Sequence, residues 1–207
     1  MYKKVFLILF SIFLLGAIVS CTSSNDGGPP WHFRGDLTLY NDTSFSISKL
    51  YLTPANEPEW GPDQLSSDLL SGDSYTITDI IPDLYDVKAV IIGNLSKYYA
   101  YKYDIPIEAR HTFDLYAYNS DFSGSLEIVN NDTTGSYIDA IYVSPAGSGS
   151  WGPNQLESSI APGDFKHLYD LPPDSYDVKI VWDTIPYNVY YYDNIIKSLT
   201  LLTLNAN

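Results

Sequence analysis

The string Trp60-Gly61-Pro62-Asp63-Gln64-Leu65 returns almost unchanged as Trp151-Gly152-Pro153-Asn154-Gln155-Leu156, at a separation of 151 − 60 = 91 residues. The same offset carries Tyr51 onto Tyr142, Pro54 onto Pro145, Gly72-Asp73 onto Gly163-Asp164, and Tyr85-Asp86-Val87-Lys88 onto Tyr176-Asp177-Val178-Lys179. Chance similarity does not hold register over such a distance. The chain is therefore built twice, and any fold proposed for it must close within one repeat.

Residues 1–20 precede the duplication and read as an export signal. Lys3 and Lys4 supply a positive start, Val5 to Val19 an apolar run, and Ile18-Val19-Ser20 a small-residue exit before Cys21. A helix of about 15 residues spans roughly 22 Å, short of the roughly 30 Å hydrocarbon layer, so a cleaved signal is expected rather than a permanent span. Ile18-Val19-Ser20-Cys21 resembles the lipobox of bacterial lipoproteins. The resemblance implies that Cys21 is lipidated, opens the mature chain, and ties it to a membrane. Thr22, standing where an Asp would signal inner-membrane retention, points to the outer membrane or cell surface.

Cys21 is the single cysteine, so no disulfide within the chain can staple a module and each must rest on its own core. Residues 21–35 form the expected tether, Thr22-Ser23-Ser24-Asn25-Asp26-Gly27-Gly28-Pro29-Pro30 being polar and turn-rich. The formal charge is −14, and it becomes more negative once Lys3 and Lys4 leave with the signal. With no basic run to offset that charge, nucleic acid is excluded as an expected partner.

From residue 36 onward, short alternating segments are broken by Pro, Gly, Asn or Asp, with no sustained helical period. The expected fold is all-β, with a first antiparallel β-sandwich over residues 36–118, a joint over 119–124, and a second sandwich over 125–207. In the first copy strands are expected over residues 36–40, 47–53, 67–70, 74–78, 85–92, 97–103 and 112–116. The pattern is clearest where Tyr85, Val87, Ala89 and Ile91 alternate with Asp86 and Lys88, and where Tyr176, Val178, Ile180 and Trp182 alternate with Asp177 and Lys179.

The order Pro54, Trp60-Gly61-Pro62, Leu65, Gly72-Asp73, Pro82, Tyr85-Asp86-Val87, met again from Pro145 to Val178, resembles a bacterial repeat akin to carboxypeptidase regulatory-like and prealbumin-like β-sandwiches. That resemblance implies extracellular scaffolding or binding. Such families place Pro-Gly before the Tyr strand, whereas Pro82-Asp83-Leu84 and Pro173-Asp174-Ser175 stand here, so Asp83 and Asp174 are expected to take the left-handed conformation that glycine would supply.

Candidate ligand-binding residues are aromatic. Trp60 and Trp151 sit in Pro/Gly-rich loops, either as exposed platforms for a sugar or a protein, or folded as lids over the open end of their own sandwich. Period-two spacing aligns Tyr99, Tyr101 and Tyr103 on one face and Tyr190 with Tyr192 on another. Such ladders can stack on glycans or partner chains, and tyrosine also simply suits strands. The aspartates Asp73, Asp79, Asp83 and Asp86, repeated as Asp164, Asp170, Asp174 and Asp177, could in principle hold calcium. They lack EF-hand spacing and fit ordinary turn chemistry, and no metal is expected.

Other matches carry little. Gly147, Gly149 and Gly152 have dinucleotide-loop spacing, but Pro153 follows and no helix is signalled. Arg34-Gly35-Asp36 matches an integrin-binding tripeptide in the tether. His32, His111 and His167 do not occupy equivalent places in the repeats, and no nucleophile elbow, zinc signature or phosphate loop is present. The sequence thus predicts a non-enzymatic lipoprotein without cofactors, displaying two modules for interaction or structure. The alternative is a carbohydrate-binding protein using Trp60, Trp151 and the tyrosine faces.

Overall fold

The computed structural model describes residues 33–93, 95–184 and 188–207. The signal segment, Cys21, His32 and most of the expected tether lie outside the described residues.

Among the described residues each repeat forms six strands. The first contains β1 (Gly35–Asn41), β2 (Lys49–Pro54), β3 (Ser74–Ile80), β4 (Asp83–Ile92), β5 (Lys97–Ile107) and β6 (Thr112–Ala117). The second contains β7 (Gly124–Asn130), β8 (Ile138–Pro145), β9 (Phe165–Leu171), β10 (Asp174–Trp182), β11 (Val189–Ile196) and β12 (Leu201–Ala206). The strands build four three-stranded sheets, ordered β3-β1-β6 and β2-β4-β5 in the first module, β12-β7-β9 and β11-β10-β8 in the second. The fold is all-β, two sandwiches in tandem. The stretch 67–70, expected as a seventh strand, contributes only an isolated bridge between Leu69 and Ile47.

One pairing in each module departs from the antiparallel expectation. β6 lies parallel to β1, with Leu39 opposite Leu115, and β12 lies parallel to β7, with Ile128 opposite Leu204. Parallel neighbours need a long crossover, and here the four intervening strands, three of them the second sheet, serve as that connection. Local patterning cannot signal a pairing made between the first and last strands of a module.

Alternation explains the packing. In β4, Tyr85, Val87, Ala89 and Ile91 face a core with Leu37, Leu39, Ile47 and Leu50, while in β10, Tyr176, Val178, Ile180 and Trp182 face one with Leu126, Ile128, Ile138 and Ile141. The two cores are separate clusters, yet Phe33–Asn207 forms one compact unit. The joint between modules is more than a spacer. A short 3-10 turn at Asn119–Asp121 delivers Phe122, which is 0% exposed, into the first core. Leu199, from the second module, packs against that same core.

The repeated motifs have specific structural duties. The Tyr85 hydroxyl donates to the Ile81 carbonyl at 3.0 Å, and the Tyr176 hydroxyl to that of Pro172 at 2.9 Å. Asp86 and Asp177 stand where the ladders to β5 and β11 shift register, and each accepts a backbone N–H at 3.1 Å, from Asp104 and Asp193 respectively. Both donors are left-handed, at φ 55° and 52°. These are β-bulges closed by a carboxylate. Asp83 and Asp174, expected to be left-handed, are not among the positive-φ residues; Asp79, Asp104, Asp170 and Asp193 are. The tight positions are thus at the ends and bulges of strands rather than in the turn before β4.

The Asp63-to-Asn154 exchange between copies also has a reason. Asp63 Oδ1 accepts the N–H groups of Leu50 and Leu65 at 3.0 and 3.1 Å, and Asn154 Oδ1 accepts those of Ile141 and Leu156 at the same distances. Those backbone bonds need only an acceptor oxygen, which either side chain supplies, while Asp63 also faces Lys49 at 3.8 Å where the second copy has Ala140. Arg34-Gly35-Asp36, expected in the tether, instead leads into β1: Gly35 is buried and Arg34 Nε lies 3.6 Å from Asp79.

Candidate functional site

The candidate aromatic residues come together on the outer face of the second sheet of each module. β4 and β10 present Lys88 and Lys179 outward, because the residues that alternate with them fill the cores. The Lys88 ammonium lies 4.3 Å from the Tyr51 ring centre and 4.7 Å from that of Trp60, and Lys179 lies 4.0 Å from Tyr142 and 5.4 Å from Trp151. Each such cation–π contact is worth about 0.5–1 kcal/mol when partly exposed. The indoles lean on the ladder as well, with Trp60 to Tyr101 at 6.0 Å and Trp151 to Tyr190 at 5.9 Å. Trp60 and Trp151 therefore lie half-buried on the flank of their own sheets, held by Lys and Tyr.

The tyrosines continue each face. Tyr99, Tyr101 and Tyr103 stack at successive separations of 6.4 and 6.1 Å, and Tyr190 stacks on Tyr192 at 5.9 Å with planes 6° apart. Sequence spacing anticipated both ladders. What it did not show is that each ladder meets a tryptophan and a lysine from elsewhere in its repeat.

The two faces differ in what covers them. In the first module the Tyr101 hydroxyl donates to Asp170 Oδ2 at 2.8 Å, across the boundary between modules. Ser123 secures the same edge: its N–H donates to the Tyr99 carbonyl and its Oγ accepts the Tyr99 N–H, both at 2.9 Å. Burial pushes the Asp170 carboxyl above its usual range, a rise partly offset by the Tyr101 hydroxyl, Lys88 and Ser123. Burial and the bond to Asp170 raise the Tyr101 hydroxyl strongly. Burial lowers the Lys88 ammonium, against the pull of Asp170. In the second module Tyr190, the counterpart of Tyr101, is 42% exposed, while Tyr192 at 63% resembles its counterpart Tyr103 at 56%.

This junction has a pH dependence of definite sign. Because Asp170 binds its proton more readily folded than unfolded, its stabilising contribution is complete below the unfolded value of about 3.9 and is lost as pH rises through the raised folded value. Asp170→Asn is expected to remove that part of the dependence, so urea midpoints of variant and parent should diverge as pH rises from about 4. Parallel curves would show that the carboxyl does not sense docking. Tyr101→Phe, which takes away the hydroxyl donor, is expected to cost about 1 kcal/mol, the low end because the pair is only half-buried.

The remaining sequence candidates are placed elsewhere. His167 Nε2 lies 2.6 Å from Glu127 Oε1 and its Nδ1 3.0 Å from the Tyr169 hydroxyl, while Thr203 donates to the other Glu127 oxygen at 3.1 Å. Its carboxylate is thus engaged on both oxygens. His111 faces Glu108 at 3.7 Å in the open. Among the described residues no three His, Cys, Asp or Glu side chains converge as a metal site would require. Gly147 and Gly149, both at φ 70°, lie in the loop after β8. Sequence reasoning missed Asn41 and Asn130, both 0% exposed, whose amides donate to Phe45 and Leu69 and to Ser136 and Ile160 carbonyls, all at 2.9 Å. These two are separated by two residues fewer than the tryptophans, and that shift in offset was the available signal.

The sequence matches no family model and no curated protein. Among solved structures it is similar to the Bacillus anthracis TIE protein, at 10% identity and a TM-score of 0.31, covering 84% of this chain but only 33% of that one. It is also similar to the shaft pilin SpaA from Lactobacillus rhamnosus GG, at 8% identity and a TM-score of 0.27, covering 84% of this chain and 98% of the pilin. A third likeness is to a "putative cell adhesion protein" from Bacteroides eggerthii, at 12% identity and a TM-score of 0.30, covering 84% of this chain and 87% of that one. These neighbours are β-rich, and at such identities none assigns a site residue to this chain.

Proposed function

We propose that the chain is a non-enzymatic lipoprotein, anchored by an acylated Cys21 at the outer membrane or cell surface, that presents its second-sheet aromatic faces to a macromolecular partner. The observation that carries this reading is the face formed by Tyr142, Trp151, Lys179, Tyr190 and Tyr192, where the exposed rings of Tyr190 and Tyr192 stand beside a half-buried tryptophan, tyrosine and lysine. Aromatic rings offer large contact area at small entropic cost, and a lysine among them adds orientation.

The anchor is tested by metabolic labelling with an alkyne fatty acid. The parent chain is expected to take the label and Cys21→Ser to lose it, and an unlabelled parent would overturn the anchoring. Carbohydrate binding is the second reading, favoured by the near-parallel rings of Tyr190 and Tyr192 at a spacing of 5.9 Å. On that reading, retention on a polysaccharide column is expected to fall at least about tenfold with Trp151→Ala, the loss of one stacking contact of about 1.5 kcal/mol. Equal retention of parent and variant would remove the glycan and leave a protein partner.

A further inference from the structure

The contact between modules is a lock whose two halves each occur twice. One half is the Lys88–Tyr101 face of the first module, and Lys179 with Tyr190 repeats it in the second. The other half is Asp170, near the end of β9 and left-handed at φ 63°; its counterpart is Asp79, near the end of β3, at φ 64°. Both aspartates stand beside a register shift at a buried glycine, Gly124 or Gly35. Within the chain, Asp170 closes on Tyr101. That leaves Asp79, whose side chain is 81% exposed, at one end and the Tyr190 face at the other.

We propose that the Tyr190–Lys179 face receives the Asp79 edge of a second copy of this chain, repeating between molecules the docking already made within one. The internal docking uses Asp170 and Tyr101, so the Asp79 edge and the Tyr190 face, engaged within the chain by Arg34 and by Asn188 respectively, are the two halves left to meet a second copy. Asp79 would then lie between Arg34 of its own chain and Lys179 of the neighbour, one acid between two cations on a protein whose net charge opposes most other self-contacts. The interface is heterologous, and repeating it yields an open chain of copies rather than a closed ring.

The copies are not identical, and the differences set the strength. Where Tyr99, Ser123 and Leu199 support the internal contact, the second interface offers Asn188, Arg34 and Arg110. It also lacks the covalent link that keeps the internal partners at high effective concentration. Association in trans is therefore weak, and is expected over roughly 10 µM to 1 mM.

The proposal deepens the reading of this face as an interaction surface by naming its partner, and its test separates the two. The full chain, held in a mild detergent, is followed by sedimentation velocity across that concentration range. The parent is expected to sediment faster as concentration rises. Asp79→Lys and Lys179→Glu, each confirmed as folded by circular dichroism, are expected to remain single copies. Their equimolar mixture is expected to associate again, because each variant carries the charge that the other now requires. A parent that stays monomeric to 1 mM, single variants that associate like the parent, or a mixture that stays dispersed would each overturn the proposal. If the parent is monomeric yet loses polysaccharide retention with Trp151→Ala, the face serves a glycan and the interaction reading stands without self-association.

Discussion

Phe122→Ala is expected to lower the stability of the first module by about 3–5 kcal/mol, the cost of emptying a fully buried aromatic site. Its ring is 0% exposed and belongs to the core of Leu37, Leu39, Leu50 and Ile91. The short turn at Asn119–Asp121 fixes the approach, with the Asp121 carboxylate accepting the Tyr118 N–H at 2.8 Å and the Lys102 ammonium at 2.9 Å. Since a domain of this size is stable by only about 5–15 kcal/mol, the loss is a large fraction of the total. Urea unfolding followed by fluorescence should show the midpoint falling by the corresponding amount. A shift below about 1 kcal/mol would mean that residues 119–124 are merely a joint.

Gly124→Ala is expected to cost about 3 kcal/mol or more, and Gly35→Ala about as much, although neither glycine has a positive φ. The reason is proximity. A methyl group at Gly124 would meet Ile196 Cγ2 and the Lys197 carbonyl oxygen, both at 2.4 Å, and one at Gly35 would meet the Glu108 carbonyl oxygen at 2.2 Å. Carbonyl oxygens belong to the backbone and cannot rotate away, so the strand itself must move. Gly72 and Gly163 make the natural controls: nothing lies within 4 Å of a methyl there, and their cost would come from φ values of 84° and 85° instead. Melting temperatures that leave Gly124→Ala within a degree of the parent would show that the start of β7 is not packed as described.

The two glycines illustrate what a duplicated sequence does and does not disclose. Gly35 and Gly124 fall at an offset two residues shorter than Trp60 and Trp151, so comparing the copies along one fixed register passes over them. Asn41 with Asn130 and Asp104 with Asp193 share that shorter offset. The inserted and deleted residues lie in the loops after β1 and between the central strands, where the backbone tolerates a change in length. The tyrosine ladders were legible because period two is a local property of an extended chain. Their joining to Trp60, Lys88, Trp151 and Lys179 was not, since it depends on how loops fold over the sheet.

From the order of residues alone came the tandem plan, the all-β class, the inward and outward sides of β4 and β10, and the two tyrosine rows. Each follows from periodicity within one strand or from repetition along the chain, and neither depends on tertiary contacts. Tertiary structure decided the parallel return of β6 and β12, the capture of Phe122 by the first core, and the closing of Asp170 on Tyr101 across 69 positions. Alternation tells a side chain that it must be covered but not by which partner, and that choice rests on the path of the whole chain.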